Sequence, residues 1–259
     1  MTISASVVVV HHEGLEELRR CVPACLAMQE AVEVIVVDNP GAGGPLHPEA
    51  VGGAARLLTM PRNLGYGRAA NAGLAAARGE AALVANQDVV PEPDTLARLL
   101  SVAEASAAWV VGPTLVDAAG TPARPKSRFP HPLRWPGPSP GGPGWEYVPW
   151  ISGATMLLAP GDGRRLRFDP RLFMFVEDEE LCYRAWRDGG RVAVATAARV
   201  FHAGGTSTRA RWSTGAITRR TIRNRARMVR WHAGWSGVAR YAAWLARRPE
   251  PAPAHRPAR

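Results

Sequence analysis

The sequence predicts an α/β protein, a mostly parallel central sheet flanked by helices and continued by a basic helical segment. Three observations carry this. Apolar runs of strand length, such as "SASVVVV" (4–10), are unbroken rather than alternating, as suits strands buried on both faces. Segments of helical length separate these runs, and strand alternating with helix means parallel strands joined by crossovers. Two of the runs close on Asp or Asn, and in such sheets ligands bind at the carboxyl ends of the strands.

Each element follows in order. After the first strand, "LEELRRCVPACLAM" (15–28) is an amphipathic helix, which Pro23 must kink or split because it lacks an N–H and crowds the preceding turn. "VEVIVVDN" (32–39) is a second strand ending in Asp38 and Asn39, and "PGAGGP" (40–45) is a loop. "AARLLTM" (54–60) is a shorter third strand, and "GRAANAGLAAARG" (67–79) an alanine-rich helix closed by Gly79. "AALVANQD" (81–88) is a fourth strand ending in Asp88, so Asp38 and Asp88 should converge on one crevice. "PDTLARLLSVAEA" (93–105) is a helix with Asp94 or Thr95 near its cap, and "AAWVVGPTLVD" (107–117) returns as a strand.

Residues 121–149 break the alternation with nine prolines, Pro122 to Pro149. A long irregular stretch of this kind is functional or disordered, and Trp135, Trp145, Tyr147 and Trp150 suit a loop that closes over something. "WISGATMLLAP" (150–160) resumes as a strand, "RVAVATAARVFHAGGTS" (191–207) reads as a strand pair ending at His202, and basic helices follow residue 215.

At 259 residues the chain can hold one large α/β domain with a tail. No apolar run reaches membrane-spanning length. The start, "MTISASVVVVHHEG", has neither a basic region nor a cleavage-like site, which speaks against a signal peptide. Three cysteines, Cys21, Cys25 and Cys182, are too few and wrongly spaced for a zinc site and suit reduced thiols in a cytoplasmic protein. The net charge is +10, nearly all of it arginine. No acid falls between Asp188 and Glu250.

Against this basic background stands "FMFVEDEELCYR" (173–184), with four successive acids, Glu177 to Glu180. The segment from Glu177 to Asp188 reads as a helix stopped by Gly189 and Gly190, and acids in a first turn suit the positive end of the helix dipole. At about 100° per residue, Asp178 shares the inward face with Leu181, Cys182 and Ala185, while Glu180 points away toward Arg184. A carboxylate aimed at the interior needs a partner or a task, so Asp178 is either a helix-capping or a catalytic residue.

Other motifs divide in the same way. "GYGRAA" (65–70) matches a dinucleotide-binding fingerprint, yet it follows the third strand instead of the first. Its glycines read instead as turning the chain into a helix whose N-terminus faces an anion. Asp88 caps the next segment or ligates Mg²⁺ or Mn²⁺ on a diphosphate. His202 is a satisfied core histidine by default, or a ligand.

"VEVIVVDN", "NLGYGRAANAGLAAARGEAALVANQD", "WISGATMLLA", "FDPRLFMFVEDEELCYRAWRDGG" and "VFHAGGTS" occur in this order over roughly residues 4–230. In this the chain resembles the family-2 glycosyltransferases of GT-A fold, in particular their rhamnosyltransferase-like branch. The resemblance implies an inverting transfer from a nucleotide sugar (a dTDP- or UDP-sugar, dTDP-rhamnose first) to a hydroxyl of a glycan or polyprenyl-linked acceptor. By this resemblance Asp178 is the general base. Asp88 and His202 hold Mg²⁺ or Mn²⁺ and the diphosphate. Asp38 and Asn39 read the nucleobase, Asn63, Gly65 and Arg68 form the turn beside the nucleotide, and Asn71 lies on its following helix. Gly153 and Ala154 line the sugar side, with Trp150 and Glu177 toward the acceptor. Residues 1–214 would form the catalytic domain, made of a nucleotide-binding half (1–117), the proline-rich loop (121–149) and an acceptor half (150–214). A basic helical extension (215–248) and a disordered tail (249–259) would follow. The departures are "HHE" after the first strand, "PGAGG" after "DN", a single acid in "NQD", and Glu180 as the second acid of "EDEE".

The segment 209–248 carries Arg209, Arg211, Arg219, Arg220, Arg223, Arg225, Arg227, Arg230 and Arg240 with Trp212, Trp231, Trp235 and Trp244. It reads as a nucleic-acid binder, as a helix lying on an anionic membrane with Trp at headgroup level, or as a solvated face. The resemblance favours the membrane, at the cytoplasmic face, over nucleic acid. Two other classes remain. A nucleotidyltransferase would need a glycine-rich phosphate loop after strand one, where "VVVVHHEG" stands. A catalytically degenerate scaffold would act through the basic segment alone.

Overall fold

The computed structural model describes residues 5–29, 32–123, 128–137, 140–204 and 212–247. Arg209, Arg211 and the tail 249–259 lie outside the described residues.

The strands are β1 (Ala5–His11), β2 (Val32–Asp38), β3 (Arg56–Thr59), β4 (Ala81–Asn86), β5 (Val89–Pro91), β6 (Val110–Val116), β7 (Trp145–Tyr147), β8 (Thr155–Leu158) and β9 (Val192–His202). They form one sheet in the order β3-β2-β1-β4-β8-β6-β9-β5, with β7 also paired to β9. The first half is parallel, as the alternation predicts: β1 lies between β2 and β4, and β2 pairs with β3. Beyond β4 the sheet is mixed, because β8 runs antiparallel to both β4 and β6.

The helices are α1 (Leu15–Leu26), α2 (Tyr66–Ala76), α3 (Thr95–Ser106), the single turn α4 (Asp162–Arg165), α5 (Glu177–Arg187) and α6 (Thr214–Ala246). They cover both faces. Successive residues of a strand point to opposite sides. Val7 and Val9 of β1 therefore join Leu18 of α1 and Leu99 of α3 in one core, and Val8 and Val10 join Leu74 of α2 and Leu181 of α5 in the other. Gly73 is where α2 comes closest to the sheet: a Cβ there would stand 2.2 Å from Val8 Cγ1. Burial of both faces explains why these strands read as unbroken apolar runs.

Several elements differ from the sequence reading. Pro23 does not split α1, which runs through it; the helix resumes with the Ala27 amide on the Pro23 carbonyl at 2.9 Å. α2 ends at Ala76 rather than Gly79. β4 stops at Asn86, so Gln87 and Asp88 form a turn into the short strand β5. The predicted strand pair at 191–207 is one long strand, β9. Its register against β6 jumps from Pro113↔Ala195 to Thr114↔Arg199, and this irregularity mimics a break between two strands.

The proline-rich stretch contributes β7, which pairs with β9, and buries Phe129 and Leu133. These two pack with Val176 and with Met228, Val229 and Tyr241 of α6 in a third core. α6 therefore lies against α5 and the proline-rich stretch along one face. It is broken at Gly234, where φ is 64° and ψ −168°. Among the described residues no helix is long and apolar enough to cross a membrane.

Candidate active site

The carboxyl ends of β1, β2 and β4 lie side by side, with His11 opposite Asp38 and Val10 opposite Asn86. Asp38 is fully buried there. Its Oδ1 lies 3.1 Å from His11 Nδ1 and its Oδ2 accepts the Leu46 amide at 2.9 Å, so both oxygens have protein partners. Burial holds the His11 imidazole below its ordinary pKa, and the Asp38 carboxylate only partly offsets that. Asn39 Oδ1 accepts the Leu64 amide, and its Nδ2 donates to Asn63 Oδ1, which also accepts the Gly65 amide.

His12, at the departure "HHE", ties this network together. Its Nδ1 lies 2.7 Å from the Asn39 carbonyl, so that nitrogen carries the proton and Nε2 is left as an acceptor facing Asn63 Nδ2 at 3.4 Å. Its amide donates to Gln87 Oε1, while Gln87 Nε2 donates to the carbonyls of Glu13 and Gly14. The middle residue of "NQD" thus fastens the turn after β1. Sequence reasoning missed His11, His12 and Gln87 as site residues; their positions at strand ends were the available signal.

The helix start at α2 serves the fold. Gly65 has φ 87°, and a Cβ there would stand 2.1 Å from the Phe173 carbonyl oxygen, which accepts the Tyr66 amide. The amides of Leu64, Gly65 and Tyr66 are all directed at protein acceptors. Asn71 clasps the backbone of Phe168 through both its amide atoms, and Arg68 Nε donates to the Pro170 carbonyl.

Further along the same edge, the pairing of β5 with β9 puts His202 opposite Val89, and His202 Nε2 stands 3.4 Å from Asp88 Oδ1. That nitrogen is buried and has no hydrogen-bond partner among the described residues, which is not the state of a satisfied core histidine. Among the described residues no group of three or more His, Cys, Asp or Glu gathers as a metal site.

α5 closes the site. Val176 stands at its N-cap with no side-chain bond, and the first-turn amide of Glu179 is met by the Asp178 carboxylate, so the capping expectation holds in part. Asp178 Oδ1 accepts the Glu179 amide at 2.8 Å and its Oδ2 accepts the Gly153 amide at 2.9 Å, which pins the carboxylate between α5 and the turn leading to β8. The Tyr66 hydroxyl donates to the Gly153 carbonyl from the other side.

The burial pattern reverses the helical-wheel expectation. Glu177, Glu179 and Glu180 are buried, and Asp178 is the half-exposed member. The cause is α6, which covers the side that local periodicity assigns to solvent. Arg225 Nε meets Glu179 Oε2 at 2.9 Å, and His232 Nε2 meets Glu180 Oε1 at 3.1 Å. Glu180 does pair with Arg184, as its spacing predicts.

A pocket of about 410 Å³ opens at this point, lined by Tyr66, Gly153, Ala154, Glu177, Asp178 and His202 among others. Asp38, Asn39, Asn63, Gly65, Arg68, Asn71 and Asp88 do not line it, and Trp150 lines a neighbouring apolar pocket that shares Ser152 with it. Glu177 is distinctive: its Oε2 is buried without a hydrogen-bond partner among the described residues. Burial, reinforced by the Asp178 charge beside it, pushes its carboxyl up to about 8. Burial, with the charges of Glu177, Asp178 and Asp88, likewise raises the Tyr66 phenol. The pocket thus sets a half-exposed, anchored carboxylate next to a carboxyl that retains its proton.

The family model described as glycosyl transferase family 2 matches residues 6–148. "N-acetylglucosaminyl-diphospho-decaprenol L-rhamnosyltransferase" of Mycobacterium tuberculosis is 29% identical over 214 residues, covering 68% of this chain and 68% of that protein. "Succinoglycan biosynthesis protein ExoO" of Rhizobium meliloti is 35% identical over 106 residues, 40% of this chain and 30% of its own length. Among solved structures, GalNAc-T7 with UDP, GalNAc and Mn²⁺ superposes with a TM-score of 0.65 at 17% identity, over 88% of this chain and 48% of that one. The mannosyltransferase PcManGT from Pyrobaculum calidifontis, in complex with GDP-Man and Mn²⁺, gives 0.58 at 17% identity, over 98% and 67%. This likeness shows the fold, GT-A. The chain spans less than a third of ExoO and about half of GalNAc-T7.

Proposed function

The chain belongs to glycosyl transferase family 2, and from that premise we propose an inverting transfer of a sugar from a nucleotide sugar to an acceptor hydroxyl, with Asp178 as general base. The carrying observation is the pocket that joins Asp178 to Glu177, Gly153 and His202 at the carboxyl edge of the sheet. Asp178 is anchored by two backbone amides yet half-exposed, so it can meet a hydroxyl without reorienting. As the acceptor oxygen bonds to the anomeric carbon, the bond from that carbon to the diphosphate breaks, and the hydroxyl proton passes to Asp178. Glu177, protonated below about pH 8, donates a hydrogen bond on the acceptor side.

Asp88 and His202 fit a divalent cation, Mg²⁺ or Mn²⁺, because the buried His202 Nε2 lacks a hydrogen-bond partner among the described residues and faces Asp88. Bound there, the ion would stabilise negative charge on the departing diphosphate. Asp38, Asn39 and Asn63 frame the nucleotide end. The named function of the M. tuberculosis relative supports rhamnose as the donated sugar and a polyprenyl-linked glycan as acceptor; the nucleotide we propose for it is dTDP. The exposed Trp235 and the arginines of α6 suit contact with the anionic inner face of the plasma membrane.

Calorimetric binding of a panel of nucleotide sugars, with Mn²⁺ and with EDTA, tests this. One dTDP- or UDP-sugar should bind in a metal-dependent way, and Asp88→Ala should abolish it. Folded protein that binds no donor would instead support a scaffold acting through its basic segment.

A further inference from the structure

The turn that launches α5 is strained. Phe175 and Val176 have φ of 69° and 78°. Left-handed backbone is strained for residues with a Cβ, and a β-branched valine there is a marked outlier. Glu177 and Asp178 follow directly, so this turn sets where both carboxyls stand. Its own sequence does not hold it: no glycine occurs in 172–176, and the N-cap Val176 offers no side-chain bond.

The restraint comes from α6. Asn224 is 2% exposed, and its Nδ2 donates to the carbonyls of both Met174, at 2.9 Å, and Phe175, at 3.0 Å. Just beyond it, Arg225 reaches Glu179 and Arg227 reaches Asn224 Oδ1. Val229 and Met228 pack in the same core as Val176. We propose that Asn224 is a positioning residue for the transfer reaction, clamping the 174–176 turn in its left-handed conformation and thereby placing the carboxyls of Asp178 and Glu177. The inner face of the arginine-rich segment is then part of the catalytic apparatus, whatever its outer face binds. The proposal rests on Asp178 being the base.

Asn224→Asp and Asn224→Ala remove the donor, the first with nearly unchanged shape. Transfer kinetics, donor binding and thermal unfolding should be measured together. We expect kcat to fall about 10- to 100-fold, as for a misplacement of about 1 Å. Donor affinity should stay within about twofold. Glycine adopts the left-handed region without strain, so Val176→Gly added to Asn224→Ala should recover several-fold of the lost kcat. Turnover within about twofold of the parent would overturn the proposal, as would parallel loss of kcat and donor affinity with no recovery.

A readout independent of turnover is the titration of Glu177, followed by NMR. In Asn224→Ala, which adds no charge beside it, the loosened turn should let its midpoint drop by a unit or more from about 8, and an unmoved midpoint would count against the clamp. If instead the functional reading is at fault, Asp178→Asn keeps the parent turnover while the Glu177 midpoint still responds to Asn224.

Discussion

Glu33 and Glu177 are both buried glutamates, at 8% and 7% exposure, and they sit at opposite ends of the sheet. Glu33, at the amino end of β2, accepts hydrogen bonds from the Ser6 hydroxyl, the Arg78 amide and the Arg78 guanidinium. Burial alone would raise its carboxyl, but these bonds outweigh it and hold the group below its ordinary range. Glu177, beyond the carboxyl ends, has a buried oxygen without a hydrogen-bond partner among the described residues and stands beside a second carboxylate, and its pKa moves the other way. Similar solvent exposure with deeper burial of Glu177 and opposite satisfaction separates a carboxylate that holds the fold from one kept ready for a ligand.

The comparison can be tested from the largest expected effect downward. Asp178→Asn keeps the shape of the pocket and removes the base, so transfer should drop about 100- to 10,000-fold with donor binding nearly unchanged. Steady-state kinetics beside calorimetry check this. Glu33→Ala should do the reverse. It should lower stability by about 2 kcal/mol in urea unfolding, with turnover per folded molecule preserved. Because the folded pKa of Glu33 is depressed, its contribution is present above the unfolded value of 4.5 and is lost as pH falls through the folded one.

Glu177→Gln sharpens the sign. The folded pKa of Glu177 is raised, so its stabilising proton is fully present below 4.5 and is lost as pH rises toward about 8. The parent should therefore lose stability relative to Glu177→Gln between pH 5 and pH 8, by an amount on the order of a few kcal/mol. Urea melts at the two pH values measure it. The smallest effect belongs to Trp235→Ala. At 71% exposure this residue should alter stability by less than about 0.5 kcal/mol, yet reduce sedimentation with vesicles containing anionic lipid.

Much of this was legible in the sequence where local pattern decides the outcome. The unbroken Val8–Val10 and Val34–Val37 runs gave the parallel half of the sheet, because burial on both faces leaves that signature. The approach of His202 to Asp88 was also foreseeable from the ordered motifs. Contacts between distant segments were not. The burial of Glu179 and Glu180 depends on Arg225 and His232, more than 40 residues away, so a helical wheel assigned Glu180 to solvent. Asn224 was hidden for the same reason: it lies within an arginine run whose charge drew attention outward, while its side chain faces two backbone carbonyls. The irregular register of β9 likewise exists only against β6.

The most direct measurement is a carboxyl NMR titration of Glu33 and Glu177 in one sample, with and without a nucleotide sugar. The account predicts that Glu33 titrates below 4.5 and ignores the ligand, while Glu177 titrates near 8 and moves when the donor binds. Two glutamates titrating together in the ordinary carboxylate range, both indifferent to the donor, would contradict it.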